Sequence, residues 1–333
     1  MPRSLHFWLG VAISAVLIAL FLRATHPGKI VDAMEDANYW WLIPGTLVLF
    51  GALSIRCYRW SILMRPVAPI GASRLFPYAI IGYMANNLLP ARAGEVVRAW
   101  VLGEREHVSR VATLGTIAVE RLFDGCVLVL MFLVAAAFVG LEDRSLQVIA
   151  VTSSALFFAA LVGFYIVTYT EARTKRVLRM AAKVLPRRYE DIAEALVHNL
   201  SVSLRSVHNP RALAGVTLLS AGAWTVEAAC YAVLGRAFAL DVSFGHYCLL
   251  LSAANLAIIV PTFLGGTGPF EWAAKLVLVS AGVADAVASA YSVIAHAIVI
   301  VPTTILGLIF LWRFGISFRI ASSAAVSDER PVG

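Results

Sequence analysis

The chain alternates long apolar runs with short polar connectors, and run length sets the first test. A hydrocarbon core about 30 Å thick needs about 20 apolar residues per crossing helix. Runs of that kind lie at Leu5 to Leu22, Tyr39 to Leu63, Val111 to Val139, Leu146 to Tyr169, Leu213 to Arg236 and Ala286 to Trp312, which predicts six transmembrane helices. The first run is followed by Arg23-Ala24-Thr25, with no small-residue cleavage site, and is expected to stay as a helix rather than leave as a signal peptide. Two further apolar segments, residues 75–102 and 246–282, are interrupted midway. The interruptions read Asn86-Asn87-Leu88-Leu89-Pro90-Ala91-Arg92-Ala93-Gly94-Glu95 and Pro261-Thr262-Phe263-Leu264-Gly265-Gly266-Thr267-Gly268-Pro269-Phe270-Glu271. Broken backbone at membrane depth is tolerated only where protein or a wet cavity satisfies its N–H and C=O groups. Both segments are therefore expected to be re-entrant hairpins.

Composition agrees with a bilayer as solvent: 60% of the 333 residues are apolar, 14% are charged, and mean hydropathy is +0.81. Soluble chains average about 45–50% apolar and about 25% charged, so a disordered or fibrous chain is excluded. The net charge of +7 does not point to nucleic acid, because the basic residues fall between apolar runs where topology explains them. Nine Lys or Arg lie between Glu171 and Arg211 against four acids, while Glu142-Asp143-Arg144 is net negative. With hairpins, the N-terminus, the loop from Arg65 to Arg74, the stretch 171–211 and the tail after Arg313 all lie on the cytoplasmic side. With single spans instead, the basic stretch would lie outside, against the positive-inside rule.

Each half, residues 1–145 and 146–333, then holds span, span, hairpin, span. Three crossings invert the second half relative to the first, the arrangement of many secondary transporters; the plainer reading is that the hairpins plug a bundle. The fold class expected is all-α integral membrane, with six transmembrane helices and two re-entrant hairpins in two inverted repeats. Within 171–211, Val177, Leu178, Ala181, Ala182 and Leu185 recur opposite Arg173, Arg176, Arg179 and Lys183, which suits either an amphipathic surface helix or a solvated connector. Trp40, Trp41, Trp60, Trp100 and Trp312 fall near span ends and read as interfacial anchors. Cys57, Cys126, Cys230 and Cys248 stand alone in apolar surroundings and read as packing residues.

An ionisable side chain at membrane depth costs roughly 2.5–3.5 kcal/mol on insertion scales, so each is a functional candidate. Arg92, Glu95 and Arg98 share one face of a helix restarting after Pro90. Glu120 and Asp124 share a face in Glu120-Arg121-Leu122-Phe123-Asp124, and Arg56 and Arg59 add charge near the inner end of the second span. Arginines can grip an anionic group bidentately, with acids keeping them paired when empty. That suits a phospholipid or lipid-phosphate head group; the alternative is a purely internal salt-bridge network. In the second break Gly266 and Gly268 permit a tight turn and close backbone approach, Asn87 marks the first break, and Glu271 and Lys275 are spaced to pair with each other. Glu227 and His296 are isolated ionisable groups in their spans and are candidates for a proton relay, or core residues. No nucleotide loop, H-E-x-x-H, serine elbow or cysteine pair occurs, so no cofactor or metal is expected.

The blocks from Asn86 to Arg98, Val119-Glu120-Arg121-Leu122-Phe123-Asp124-Gly125, and Gly265-Gly266-Thr267-Gly268-Pro269-Phe270-Glu271 resemble the signature blocks of the flippase-like membrane domain of lysylphosphatidylglycerol synthases. The resemblance spans nearly the whole chain. It implies a multi-pass inner-membrane protein that moves a lipid between leaflets, either an aminoacylated phospholipid or a polyprenyl-phosphate glycolipid. The candidate substrate-binding residues are Asn87, Arg92, Glu95, Arg98, Glu120, Arg121, Asp124, Gly266, Gly268 and Glu271. The soluble synthase domain of the bifunctional members does not follow here, so aminoacyl transfer is not expected. The partners expected are a membrane lipid with an anionic head group, a lipid-modifying enzyme and a second copy of the chain, with no nucleic acid. A membrane glycosyltransferase using Asp32, Glu35 and Asp36 is the competing reading, against solvated surface for those acids.

Overall fold

A computed structural model describes residues 27–89, 93–140, 210–258 and 266–316, with isolated positions between 144 and 159. Every described element is helical: α1 (Pro27–Glu35), a 3-10 turn (Tyr39–Trp41), α2 (Leu42–Met64), α3 (Ala72–Leu88), α4 (Gly94–Glu106), α5 (Arg110–Val139), α6 (Pro210–Gly235), a second 3-10 turn (Arg236–Phe238), α7 (Phe244–Ala257), α8 (Pro269–Ser280) and α9 (Asp285–Arg313). The expected span at Leu5 to Leu22, most of the one at Leu146 to Tyr169, the amphipathic stretch, and the segments 90–92 and 259–265 lie outside the described residues.

Among the described residues, four helices are long and apolar enough to cross a membrane: Tyr39–Met64, Arg110–Val139, Arg211–Phe238 and Asp285–Arg313. At 1.5 Å per residue each exceeds the hydrocarbon thickness. Their outer faces carry Phe138 (86% exposed) and Trp312 (80%), apolar surface of the kind that lipid covers. The two broken segments become two pairs of shorter helices, α3 (17 residues) with α4 (13) and α7 (14) with α8 (12). One element departs from expectation. The residues around Asp32, which the apolar-run pattern leaves between the first two spans, form helix α1, with Ile30 packed into a small apolar cluster with Ala290 of α9.

The packing has an internal regularity. Helix α2 packs on α6; α3 packs on α4 and α9; α7 packs on α8 and α5; α4 packs on α5 as α8 packs on α9. Exchanging α2 with α6, α3 with α7, α4 with α8 and α5 with α9 reproduces this set of contacts. Each long helix that follows a broken pair thus buries its face against the other half's pair.

Particular side chains make the first break possible. Asn86 Oδ1 accepts from Gly94 N at 2.9 Å, satisfying one of the free N–H groups that begin α4. The amide nitrogen of Asn87 donates to Ile300 O at 3.3 Å, Thr303 Oγ1 at 3.2 Å and Thr304 Oγ1 at 3.0 Å, around Pro302 within α9. Proline removes a ladder N–H there, and Thr303 Oγ1 also donates to Val299 O, at 2.6 Å. Gly94 is obligatory for space: a Cβ there would lie 2.1 Å from Gly82 O and 2.6 Å from Asn86 N. Gly94→Ala is expected to force α3 and α4 apart at a cost of about 1–3 kcal/mol or more. A thermal midpoint unchanged from wild type in detergent would show that the close approach is not required.

Candidate functional site

The buried stripe of α2 runs through Leu49, Ala52, Leu53, Arg56, Cys57, Trp60, Leu63 and Met64, the spacing of a helix face turned inward. Arg56 and the neighbouring Arg59 are therefore carried into the bundle interior. Arg59 is fully buried. Its Nη1 donates to Asp124 Oδ1 at 2.5 Å and to Ser220 Oγ at 2.6 Å, while Nη2 donates to Asp124 Oδ2 at 3.1 Å and lies 3.2 Å from Glu120 Oε1. This is a two-pronged guanidinium–carboxylate pair, the strong geometry for such groups. Trp224 Nε1 adds a third donor to Asp124, at 3.1 Å.

Around that centre, Arg98 of α4 donates from Nη2 to Glu120 Oε2 at 3.2 Å and stacks 3.4 Å above the ring of Trp60. Arg121 donates from Nη2 to Glu120 Oε1 at 2.9 Å and lies 3.5 Å from Asp124 Oδ2 and 3.7 Å from Glu95 Oε1. Arg56 sits 2.6 Å from Glu227 Oε2 of α6 and lies over the ring of Trp224 at 4.0 Å. Four arginines from α2, α4 and α5 thus face four carboxylates from α4, α5 and α6. The Nε atoms of all four arginines are buried without a hydrogen-bond partner among the described residues.

The cluster is graded from dry to wet. Arg59 and Glu120 side chains are 0% exposed, whereas those of Arg121 and Glu95 are 33% and 29% exposed and their contact is the longest of the set. Of the sequence candidates, Glu95, Arg98, Glu120, Arg121 and Asp124 come together here; Arg92 lies outside the described residues. Asn87 is engaged with α9 instead.

The family model described as "Lysylphosphatidylglycerol synthase TM region" matches residues 7–307. The chain belongs to this family. It is 24% identical over 324 residues to a "UPF0104 membrane protein" of Methanothermobacter thermautotrophicus, covering 92% of this chain and 95% of that protein. A second "UPF0104 membrane protein" of that organism is 26% identical over 309 residues, covering 90% of this chain and 91% of that protein. The "Glycosyltransferase AglD" of Haloferax volcanii is 24% identical over 356 residues, covering 96% of this chain but 56% of that protein. No solved structure matches. Family and helices together make the chain a multi-pass membrane protein.

Several sequence expectations need correction within this family frame. Glu227 is ion-paired to Arg56 rather than isolated. Trp60, expected at the interface, is 0% exposed; its ring lies beneath Arg98 and its Nε1 donates to Thr116 Oγ1 at 3.0 Å. Glu271 and Lys275 do not pair with each other. Glu271 turns back to the start of its own helix, accepting from Gly268 N at 2.7 Å, and its Oε1 lies 2.6 Å from Nδ1 of His296, which is thus not isolated either. Lys275 Nζ reaches Asp285 Oδ1 at 2.7 Å. Gly268 (φ +103°) and Gly266 (φ +100°) form the turn that enters α8, a backbone conformation that favours glycine. A Cβ on Gly266 would meet Ile258 at 2.7 Å. These two glycines and Glu271 belong to the second broken segment, not to the arginine cluster.

Proposed function

We propose that the protein moves a lipid with a phosphate-bearing head group between the two leaflets of the cell's inner membrane. The reading rests on one observation: the buried charge cluster is locked at its centre and loose at its edge. At that edge Arg121 Nε and Glu95 Oε1 stand 3.7 Å apart, beyond hydrogen-bond distance, with both side chains partly exposed. A phosphate arriving there takes Glu95's place on Arg121 while Arg59, Asp124 and Glu120 keep their partners. Guanidinium suits this exchange because its planar fork matches phosphate oxygens. Arg92, three residues before Glu95 in sequence, is a further candidate cation for the head group in this reading. Binding by exchange leaves no bare buried charge before or after, so the head group can also leave, as transport requires.

The architecture supports the same reading. The pairs α3/α4 and α7/α8 read as re-entrant hairpins, each half as three crossings, and the halves as inverted repeats with both termini cytoplasmic. Broken helices meeting near the midplane between inverted halves are the usual ground plan of alternating access. The lipid tails stay in the bilayer while the head group passes between the halves.

The test is translocation in proteoliposomes, using headgroup-labelled anionic, aminoacylated and zwitterionic lipids with a membrane-impermeant quencher reporting leaflet position. Transport above protein-free vesicles that is weakened by Arg92→Ala is the expected result. A folded protein that moves none of these lipids would overturn the reading.

A second reading comes from the relative named as a glycosyltransferase. In this reading the chain transfers a sugar from a lipid-phosphate donor, with the exposed acids Asp32, Glu35 and Asp36 at and beyond the end of α1 as its acidic groups. Sugar transfer by the purified chain, lost on replacing those acids, would favour it over transport.

A further inference from the structure

The charge cluster has a second edge, on the side of α6. Arg56 precedes Arg59 by three residues on α2, about 4.5 Å along the axis. Trp224 joins it to the centre: Nε1 donates to Asp124 at 3.1 Å, and the ring carries Arg56 at 4.0 Å. The arginines differ in how they are held. Arg59 donates to Asp124 and Ser220, and Arg98 and Arg121 each donate to Glu120. Arg56 donates no hydrogen bond among the described residues. Its Nη2 stands 2.6 Å from Glu227 Oε2 without hydrogen-bond alignment, so that Nε, Nη2 and Glu227 Oε2 are all buried with no hydrogen-bond partner. Arg56 is 7% exposed. A buried N–H without an acceptor is costly, and here it belongs to a guanidinium held by charge alone.

Tyr83 of α3 stands beside this edge. Helix α3 presses on the cluster at the preceding residue, where a Cβ on Gly82 would lie 3.0 Å from the Cβ of Arg98. Tyr83 itself is within electrostatic range of Arg56, Arg98 and Arg121 together. Its ring packs against both large apolar clusters of the protein, while the residue stays partly exposed. The hydroxyl donates no hydrogen bond among the described residues. A tyrosine packed by its ring ordinarily finds an acceptor for its O–H. With three cations around it, the acceptor that fits is an anion with several oxygens, and phosphate is such an anion.

We propose that Arg56 and Tyr83 form a second contact for the head-group phosphate, reached from Arg121. The Tyr83 hydroxyl donates to one phosphate oxygen, and Arg56 supplies the donors that Glu227 leaves unused. Glu227 stays beside Arg56 throughout, so no carboxylate is stranded. The first contact lies on α4 and α5 of the first half, at Glu95 and Arg121; the second lies against α6 of the second half. A head group that moves from one to the other has crossed between the halves. The inference rests on the lipid-transport reading for the identity of the ligand and deepens it by naming where the phosphate goes after Arg121.

Tyr83→Phe is the decisive variant, because it removes the hydroxyl and keeps the ring. The hydroxyl has no protein partner to lose, so the thermal midpoint of the ligand-free protein is expected to stay at the wild-type value. Binding is read on the whole protein in phosphatidylcholine nanodiscs, as the rise in thermal midpoint on adding dihexanoyl phosphatidylglycerol. Inorganic phosphate at the same concentration is the second arm. Affinity for the lipid is expected to fall about tenfold in Tyr83→Phe, the worth of one hydrogen bond to a charged group. It is expected to fall several-fold in Arg56→Lys, which keeps a cation beside Glu227 but loses the planar fork; should that variant not fold, Tyr83→Phe decides alone. Unchanged lipid affinity in Tyr83→Phe overturns the second contact, as does a wild-type response to inorganic phosphate with none to the lipid. Translocation of phosphatidylglycerol measured beside it separates the two proposals. Binding that depends on Tyr83 with no lipid movement would sink the transport reading alone, whereas lipid movement at the wild-type rate in Tyr83→Phe would sink the second contact alone.

Discussion

Arg59→Met is expected to lower the thermal unfolding midpoint by on the order of 10 °C, or to prevent the protein from accumulating. The guanidinium serves Asp124 with two nitrogens, touches Glu120 and donates to Ser220. Removing it leaves Asp124 to Trp224 and the more distant Arg121, at a site almost without water. Breaking one side of a buried ion pair costs about 3–5 kcal/mol, and each kcal/mol moves the midpoint of a domain of 150–250 residues by about 2–4 °C. The cost comes from the stranded carboxylate more than from the lost contact, so a second change should recover much of it. Arg59→Met with Asp124→Leu is expected to be more stable than Arg59→Met alone, because Glu120 still has Arg98 and Arg121. Single and double variants melting within about 2 °C of wild type would show that the centre of the cluster is not structural.

How much of this was legible in sequence depended on whether an interaction was local. Run length placed α2, α5, α6 and α9 to within a few residues, because hydropathy over a span is a sum that neighbours hardly disturb. Both breaks were legible from Pro and Gly. The partner choices were not. Arg56 and Arg59 sit three apart on the inward stripe with Leu49 and Trp60, a signal available in the sequence, yet nothing local says that their counter-charges come from Glu227 and Asp124. Trp60 sits near a span end as an interfacial tryptophan would, but Arg98 needed an apolar floor and drew it inside. Glu271 and Lys275 have the spacing of a helical ion pair; the free N–H groups at the start of α8 outcompete Lys275 for the carboxylate, since Glu271 stands in the first turn. The cluster's residues were named from charge at membrane depth, while its grading from locked to loose needed the three-dimensional arrangement.

That grading leads to a prediction in which two neutralising changes have opposite signs. Arg121→Gln is expected to slow translocation of an anionic lipid about tenfold or more, because a charge-assisted hydrogen bond is worth about 1.5–3 kcal/mol and 1.4 kcal/mol is a factor of ten. Glu95→Gln is expected to do the reverse at low lipid density. It removes the carboxylate that competes with the head group for Arg121, so apparent affinity should rise several-fold, and Arg121 keeps Glu120 as its anchor at 2.9 Å. Glu95 is about a third exposed, so its change should not move the thermal midpoint by more than a few degrees, whereas Arg121→Gln also takes a partner from buried Glu120 and is expected to cost more. A purely structural network predicts something different: both variants lose activity together, in step with stability. The sign for Glu95→Gln also depends on the lipid's charge. With an aminoacylated head group the ammonium would itself need Glu95, and the variant would slow that lipid while speeding a simple phosphodiester. Rates of the two lipids through the one variant therefore test the exchange at Arg121 and distinguish the head groups.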